Sequence, residues 1–169
     1  MPKPSSNDYA INFTNYIALV PEDDLTEAIR NQSLVLPDFL HSISEDKSKY
    51  AYAEGKWSIK EMLQHIIDAE RIFNYRALCI GRKETVSLPG FDENNYAANS
   101  NGNARSWQSL VDEFINVRRS TEDLYSSFTE EMLYQKGLSN NNIATPLSFG
   151  FITVGHVYHH KKIIEERYL

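Results

Sequence analysis

The hydrophobic residues of this chain recur with the period of an α-helix along four long stretches, and such a pattern is compatible with few folds. The predicted helices cover residues 22–42, 58–80, 106–128 and 146–168. Four helices of about 20 residues each are typical of a bundle in which every helix buries one apolar face. Two of the connections are long, so a simple up-down-up-down order need not follow. We therefore expect an all-α protein, a four-helix bundle with long crossover connections.

The second predicted helix has the clearest boundaries. Ser58 is followed three residues later by Glu61, which is the pattern of a capping box at a helix start. Trp57 and Met62 fit the hydrophobic pair that often accompanies such a start. Gly81 follows the last apolar residue and predicts the C-terminal end of the helix.

Other residues indicate where the helical pattern breaks. Pro37 lacks a backbone N–H, so we expect it to kink or interrupt the first helix. Residues 83–105 contain a proline, two glycines and several asparagines, which predicts a long loop. Loops longer than about 12–15 residues within a domain are usually functional or disordered. Phe91, Asp92 and Glu93 in this loop either cover a functional site or belong to a solvated surface.

The charge balance limits the partners of this chain. Lys and Arg together number 17 against 23 Asp and Glu, a formal charge of −6. A nucleic-acid binder or a protein docked on an anionic membrane surface relies on an excess of cations, so we expect neither partner. Cys79 is the lone cysteine and cannot form an internal disulfide, and no signal peptide or membrane-spanning stretch is visible. These features favour a cytoplasmic protein.

Three of the five histidines fall on apolar helical stripes. His156 and His160 are four residues apart, which places both imidazoles on one face of the last predicted helix. His65 lies on the inner face of the second predicted helix. His159 is near the edge of its stripe and is a weaker candidate, and His41 is left as background.

A divalent metal is one explanation for these inward-facing histidines. A buried imidazole without a partner costs about 1–3 kcal/mol. Three neutral nitrogens from His65, His156 and His160 around Zn²⁺ or Ni²⁺ would leave positions open for water or substrate. Alternatively, the pair on the last helix is solvated or satisfied in the core, and His65 bonds to a carboxylate such as Asp68 or Glu61. Asp68 is equally suited to accept the free N–H of a metal-bound imidazole.

Arg118 and Arg119 lie on the third predicted helix. Their guanidinium groups are suited to an anionic carboxylate of a substrate, but an ion pair on the surface with a neighbouring acid is the commoner arrangement. We expect the surface ion pair.

The chain resembles the DinB/YfiT-like family of metalloenzymes over residues 16–169. The resemblance rests on residues 55–71, which hold a Trp-Ser-x-x-Glu helix start and its histidine, and on residues 88–92. It rests also on residues 155–160, with a His-x-x-His-His pattern, and on residues 166–169. Each segment is weak alone, and the combination is specific.

This resemblance implies a fold and a ligand set. Residues 1–169 are expected to form a single DinB-like four-helix-bundle domain with down-up-up-down connectivity, in which residues 1–15 are an irregular N-terminal arm. The family's three metal ligands correspond to His65, His156 and His160, and the family suggests a homodimer.

The resemblance also implies that the metal activates a nucleophile acting on a small-molecule substrate. Relatives include metal-dependent transferases that conjugate low-molecular-weight thiols to electrophiles, and proteins regarded as hydrolases. The first hypothesis is therefore a thiol S-transferase with one divalent metal. A metal-dependent hydrolase and a non-catalytic bundle with a structural metal are the alternatives. Asp68 and Glu61 are weak candidates for a catalytic base, and each is better suited to a structural role.

Overall fold

Residues 2–169 are described by a computed structural model, and most of them are helical. In chain order the α-helices are α1 (Thr14–Ala18), α2 (Leu25–His41), α3 (Glu45–Ser48), α4 (Ile59–Gly81), α5 (Glu93–Asn99), α6 (Trp107–Ser126), α7 (Glu130–Tyr134) and α8 (Pro146–Arg167). Short 3₁₀ turns span Ile11–Phe13 and Gly102–Ala104. Strands β1 (Gly137–Ser139) and β2 (Asn142–Ala144) form an antiparallel hairpin.

The four long helices α2, α4, α6 and α8 confirm the predicted four-helix architecture. At the start of α4, Ser58 Oγ accepts from the Glu61 N–H at 3.1 Å, and Glu61 Oε2 accepts from the Ser58 N–H at 2.8 Å. The capping box is therefore confirmed. A second capping box, formed by Thr145 and Ser148, begins α8, where Pro146 takes the first helical position.

Helices α4 and α6 are neighbours that run in the same direction. Arg71 of α4 pairs with Glu113 of α6, and further along both helices Asn74 donates to Thr121. Helices α2 and α8 are likewise parallel to each other and antiparallel to the first pair. This order is the down-up-up-down arrangement that the family resemblance implies.

The parallel course of α4 and α6 explains the long connection between them. A helix of 20 residues is about 30 Å long, so the chain leaving the end of α4 must return that distance before α6 begins. Residues 82–106 make this return, and α5 packs against α4 on the way. A short loop can join only antiparallel neighbours.

The core consists of two apolar clusters with buried polar side chains between them. One cluster includes Phe73 and Phe149, and the other includes Leu63 and Trp107. Each long helix contributes to both clusters and carries a buried polar residue where they meet; these residues are Gln32, Glu70, Arg118 and His156. The bundle therefore has a polar layer across its middle.

Arg118 belongs to this layer, so the surface ion pair predicted for it is wrong. Its side chain is 3% exposed and its Nη2 donates to Glu70 Oε2 at 2.9 Å. Its Nη1 donates to Gln32 Oε1 at 2.8 Å, and Thr121 Oγ1 donates to the other Glu70 oxygen. A buried ion pair is tolerated when hydrogen bonds of this kind satisfy most of its donors and acceptors, and of the Arg118 nitrogens only Nε has no partner among residues 2–169. The partners lie on other helices, where sequence spacing does not reveal them.

Helix α2 passes through Pro37 without ending, so of the two predicted effects, a kink or an interruption, the interruption is wrong. Leu36 and Leu40 hold this part of the helix in the core, each at 3% exposure. Their burial offsets the one hydrogen bond that proline removes.

Residues 83–105, predicted as a loop, contain α5 and a 3₁₀ turn, so the prediction is wrong for these parts. Asp92 begins α5, because its Oδ1 accepts from the N–H groups of Asn94 and Asn95 at 3.0 Å. This is the N-cap role that aspartate favours.

The hairpin of β1 and β2 has no counterpart in the sequence-based prediction, in which residues 129–145 only connect two predicted helices. Asn140 and Asn141 turn the chain with φ values of 49° and 60°, in the left-handed region that asparagine tolerates. The Leu88 N–H donates to the Leu138 carbonyl at 3.0 Å, and the Asn140 N–H donates to the Leu88 carbonyl at 2.8 Å. The segment before α5 is therefore fixed beside the hairpin.

Helix α4 ends at Gly81, where the sequence predicts its end. Helices often end at a glycine in the left-handed conformation. Here the residue with that conformation is not Gly81 but Lys83, with a φ of 66°. Gly81 has a packing role, because a Cβ there would lie 3.0 Å from the Phe128 ring.

Within residues 2–169, no helix has both the length and the apolar character that crossing a bilayer requires.

Candidate metal centre

Three histidine side chains meet where α4 packs against α8. The Nε2 atom of His156 lies 3.0 Å from the Nε2 atom of His65 and 3.1 Å from the Nε2 atom of His160. One ring nitrogen from each of the three residues lies within 4.8 Å of the other two, and all three side chains are buried. Helix α8 places His156 and His160 on successive turns of one face, and the contact with α4 adds His65. The fold thus brings together the three residues that the sequence singled out.

Hydrogen bonding alone cannot satisfy this cluster. A neutral imidazole Nε2 carries either one hydrogen or one lone pair, so the Nε2 of His156 can bond to only one of its two neighbours. Nitrogen ligands of one zinc-like ion lie about 3.0–3.4 Å apart when each bond is about 2.1 Å long. The observed separations of 3.0 and 3.1 Å agree with this spacing. The donor set fits a single divalent cation.

Aromatic side chains pack around the three rings. The Trp57 ring centre lies 4.9 Å from that of His65, and Tyr16 packs edge-on against His156 at 5.4 Å. His160 Nδ1 is buried and has no hydrogen-bond partner among residues 2–169. Within that range no carboxylate forms a hydrogen bond to any of the three imidazoles. Packing, more than hydrogen bonding, therefore orients these rings.

A cavity of about 380 Å³ opens beside the histidine cluster. Its walls come from residues 9–13, α1, α4, α8, the segment before α5 and the β1–β2 hairpin. No cysteine or carboxylate of residues 2–169 joins the three histidines. A metal held there would keep coordination positions that face the cavity. Three protein ligands with an open position are typical of catalytic rather than structural metal sites.

The two carboxylates suggested as weak candidates for a base do not line this cavity. Glu61 is engaged in the capping box with Ser58. Asp68 accepts a hydrogen bond from Gln64, and burial raises the pKa of its carboxyl group. His159 is half-buried and lines the cavity, but it lies outside the cluster of three.

Sequence reasoning missed several polar residues that line the cavity, among them Tyr16 and Arg76. Arg76 follows His65 by eleven residues, about three helical turns, so both lie on the same face of α4. This spacing could have identified Arg76 from the sequence. No local pattern marks Tyr16, because its position depends on how α1 docks against α8. Phe91 and Glu93, left open between a cover and a solvated surface, also line the cavity.

Burial keeps the three imidazoles neutral. Burial, followed by the charge of neighbouring His159, lowers the pKa of His65 to about 4. Burial and then the neighbouring histidines hold the pKa values of His156 and His160 well below the usual 6.5. Neutral imidazole is the form that binds metals, so the metal-free cluster stays in its binding form under mildly acidic conditions.

We expect the metal-free protein to lose stability as the pH falls from about 6.5 to about 4. Histidines of the unfolded chain take up protons near pH 6.5, whereas folded His65 does so near 4, so acid in this window favours unfolding. His65 alone should account for about 3 kcal/mol. Urea unfolding of chelator-treated wild type, His65→Gln and the exposed control His41→Gln measures this effect. An identical pH dependence in wild type and His65→Gln would contradict the prediction.

Comparisons with known proteins place this geometry in a family. The family model of the DinB superfamily matches residues 25–164. Among solved structures, the chain is similar to YfiT from Bacillus subtilis, described as a probable metal-dependent hydrolase with an unusual four-helix bundle topology. The two are 16% identical with a TM-score of 0.71, and the match covers 97% of this chain and 90% of that one. The search of curated proteins found no match.

At this identity the likeness to YfiT demonstrates the fold, including the long crossover connections of the bundle. The family model is independent of that structural likeness and covers most of the chain, from the start of α2 to the last turn of α8. It includes all three clustered histidines. The chain therefore belongs to the DinB superfamily.

Proposed function

We propose that this protein is a metal-dependent enzyme in which His65, His156 and His160 hold one divalent ion, zinc or nickel. The observation that carries the proposal is the convergence of three Nε2 atoms beside an open cavity. When bound, such an ion lowers the pKa of a coordinated thiol or water, so that a nucleophile forms near neutral pH. The metal therefore has a chemical role here, and a purely structural ion would be expected to have a complete protein ligand set.

Within this class we favour a thiol S-transferase with a low-molecular-weight thiol as substrate. A coordinated thiol loses its proton to solvent without help from a protein base. This suits a cavity in which Glu61 and Asp68 are absent from the lining and no carboxylate bonds to the histidines. In the transfer, the sulfur forms a bond to an electrophilic carbon of the second substrate, and the leaving group departs from that carbon.

Hydrolysis is the second candidate, and two residues of the lining favour it. Glu93 lies at the start of α5 with an exposed carboxylate, and half-buried His159 lies next to His160. Either side chain can accept a proton from water that attacks an ester or amide. In that case the enzyme needs the metal and no thiol.

A conjugation assay separates these candidates. Purified protein loaded with zinc or nickel is mixed with monochlorobimane and either glutathione or bacillithiol, and in parallel with p-nitrophenyl acetate. We expect metal-dependent formation of the bimane thioether with loss of chloride, absent in His65→Ala and retained in His41→Ala. His41 is exposed and makes a matched control.

Each outcome of this assay has one meaning. Ester cleavage that requires metal but no thiol would contradict the transferase and support the hydrolase. Stoichiometric metal without either activity would support a structural ion and contradict both enzymatic functions.

A further inference from the structure

Arg76 is a buried cation in the wall of the cavity. It lies on α4 on the same side as His65, eleven residues further along, and it is 6% exposed. The rise along the helix separates the two Cα atoms by about 16 Å. Both side chains line the same cavity, so the histidine cluster and the guanidinium lie at different places along it.

The guanidinium is held in place but is not neutralised. Its Nη2 donates to the Pro89 carbonyl at 2.7 Å, and its Cζ lies 5.6 Å from the centre of the Phe91 ring. No carboxylate of residues 2–169 lies within ion-pair distance of Arg76, and its Nε and Nη1 have no hydrogen-bond partner in that range. Burial lowers the pKa of Arg76, as expected for a charge removed from water without a counter-ion.

The other buried arginine makes the contrast clear. Arg118 is equally enclosed, and its charge is balanced by Glu70 and a further hydrogen bond to Gln32. Buried charges in proteins are normally paired in this way. The Pro89 carbonyl needs only a neutral donor, and the Phe91 ring attracts a cation but supplies no negative charge, so neither contact balances the charge of Arg76.

We propose that Arg76 binds a carboxylate group of the substrate. The Pro89 carbonyl takes one of the two Nη2 hydrogens, so the other Nη2–H forms a two-pronged edge with the free Nε–H or Nη1–H, and this edge matches the paired oxygens of a carboxylate. Arg76 is the one cationic arginine or lysine in the lining, and Glu93 adds a negative charge to the same cavity. This charge balance suits a singly charged carboxylate and disfavours a phosphate dianion. The assignment of this anion to a substrate rests on the proposed function, in which the reacting group lies at the histidine cluster.

Benzoate binding to the metal-free protein tests the site separately from catalysis. Titrations of wild type, Arg76→Gln and Arg76→Lys with benzoate, methyl benzoate and phenyl phosphate are followed by NMR or calorimetry. We expect benzoate binding to weaken about 10- to 100-fold in Arg76→Gln, the effect of losing a charged hydrogen-bonded pair. Binding of methyl benzoate should not change. Arg82→Gln, which removes an exposed arginine from the end of α4, should bind benzoate like wild type.

Three results would overturn the proposal: no benzoate binding by wild type, equal binding by wild type and Arg76→Gln, or tighter binding of phenyl phosphate than of benzoate. If Arg76→Gln does not fold, Arg76→Lys decides, because it keeps the charge but loses the two-pronged donor geometry. With the metal-loaded enzyme, Arg76→Gln should raise KM for 3-mercaptopropionate and not for its methyl ester. Absence of turnover with both thiols would count against the transferase function and leave the benzoate result intact.

Discussion

Replacing His65 and His160 together with alanine is expected to reduce the bound divalent metal from about one ion per chain to none. The three Nε2 atoms form the whole protein ligand set among residues 2–169, so the double variant retains a single nitrogen. Elemental analysis of protein purified without chelator measures the change. His159→Ala is the matched control, because His159 lines the cavity but lies outside the cluster, and it should keep the metal.

Thermal unfolding gives an independent measure of the same site. At a metal concentration 100 times Kd, binding should stabilise wild type by about 2.7 kcal/mol, which raises Tm by roughly 5–10 °C for a chain of this size. The double alanine variant should show no such shift in Tm. The double variant His65→Gln with His160→Gln tests whether the side-chain volume lost with alanine affects stability. Wild-type protein that neither contains metal nor takes it up would contradict the proposed centre.

Gly155→Ala is expected to destabilise the protein by about 2–3 kcal/mol and to lower Tm by roughly 5–10 °C. A methyl group at position 155 would overlap the carbonyl group of Tyr16, because α1 lies directly against α8 there. Alanine is favoured over glycine inside a helix by about 1 kcal/mol, so the backbone overlap decides the sign. The displaced α1 would also carry Tyr16 away from His156.

Hydrogen exchange and thermal unfolding check this expectation, with faster exchange expected in α1. Gly55→Ala is the control, since a Cβ at that position meets no atom within 4 Å. Its φ of 71° is unfavourable for alanine, so a smaller loss of about 1–2 kcal/mol is expected from the backbone alone. Gly155→Ala protein with wild-type stability and wild-type exchange in α1 would refute the proposed packing constraint.

The sequence predicted the long helices because their signals are local. The Ser58–Glu61 capping box and Pro146 mark helix starts within a few residues of the observed ones. Whether the helix continued through Pro37 depended instead on burial of the neighbouring turns. The helix-breaking tendency of proline takes no account of that burial. The short helix α5 was not predicted because its asparagines are typical of loops, although Asp92 before it is a usual N-cap.

Some residues of the candidate site could likewise be predicted from local spacing, and others could not. The i, i+4 spacing of His156 and His160 placed them on one face, and the apolar stripe of His65 pointed it inward. The cavity around them could not be predicted, because Tyr16 and Arg76 reach it through the docking of α1 and the cover formed by the segment before α5. Their roles are set by neighbours far away in sequence.

By itself the sequence determined where the helices form, which faces are apolar and that three histidines occupy those faces. Helical periodicity and capping act over a few residues, so they can be recognised in a single sequence. Only the tertiary structure decided that Arg118 meets Glu70 and that Arg76 has no counter-ion among residues 2–169. These outcomes depend on how helix faces pack against one another, and that packing joins residues separated by tens of positions.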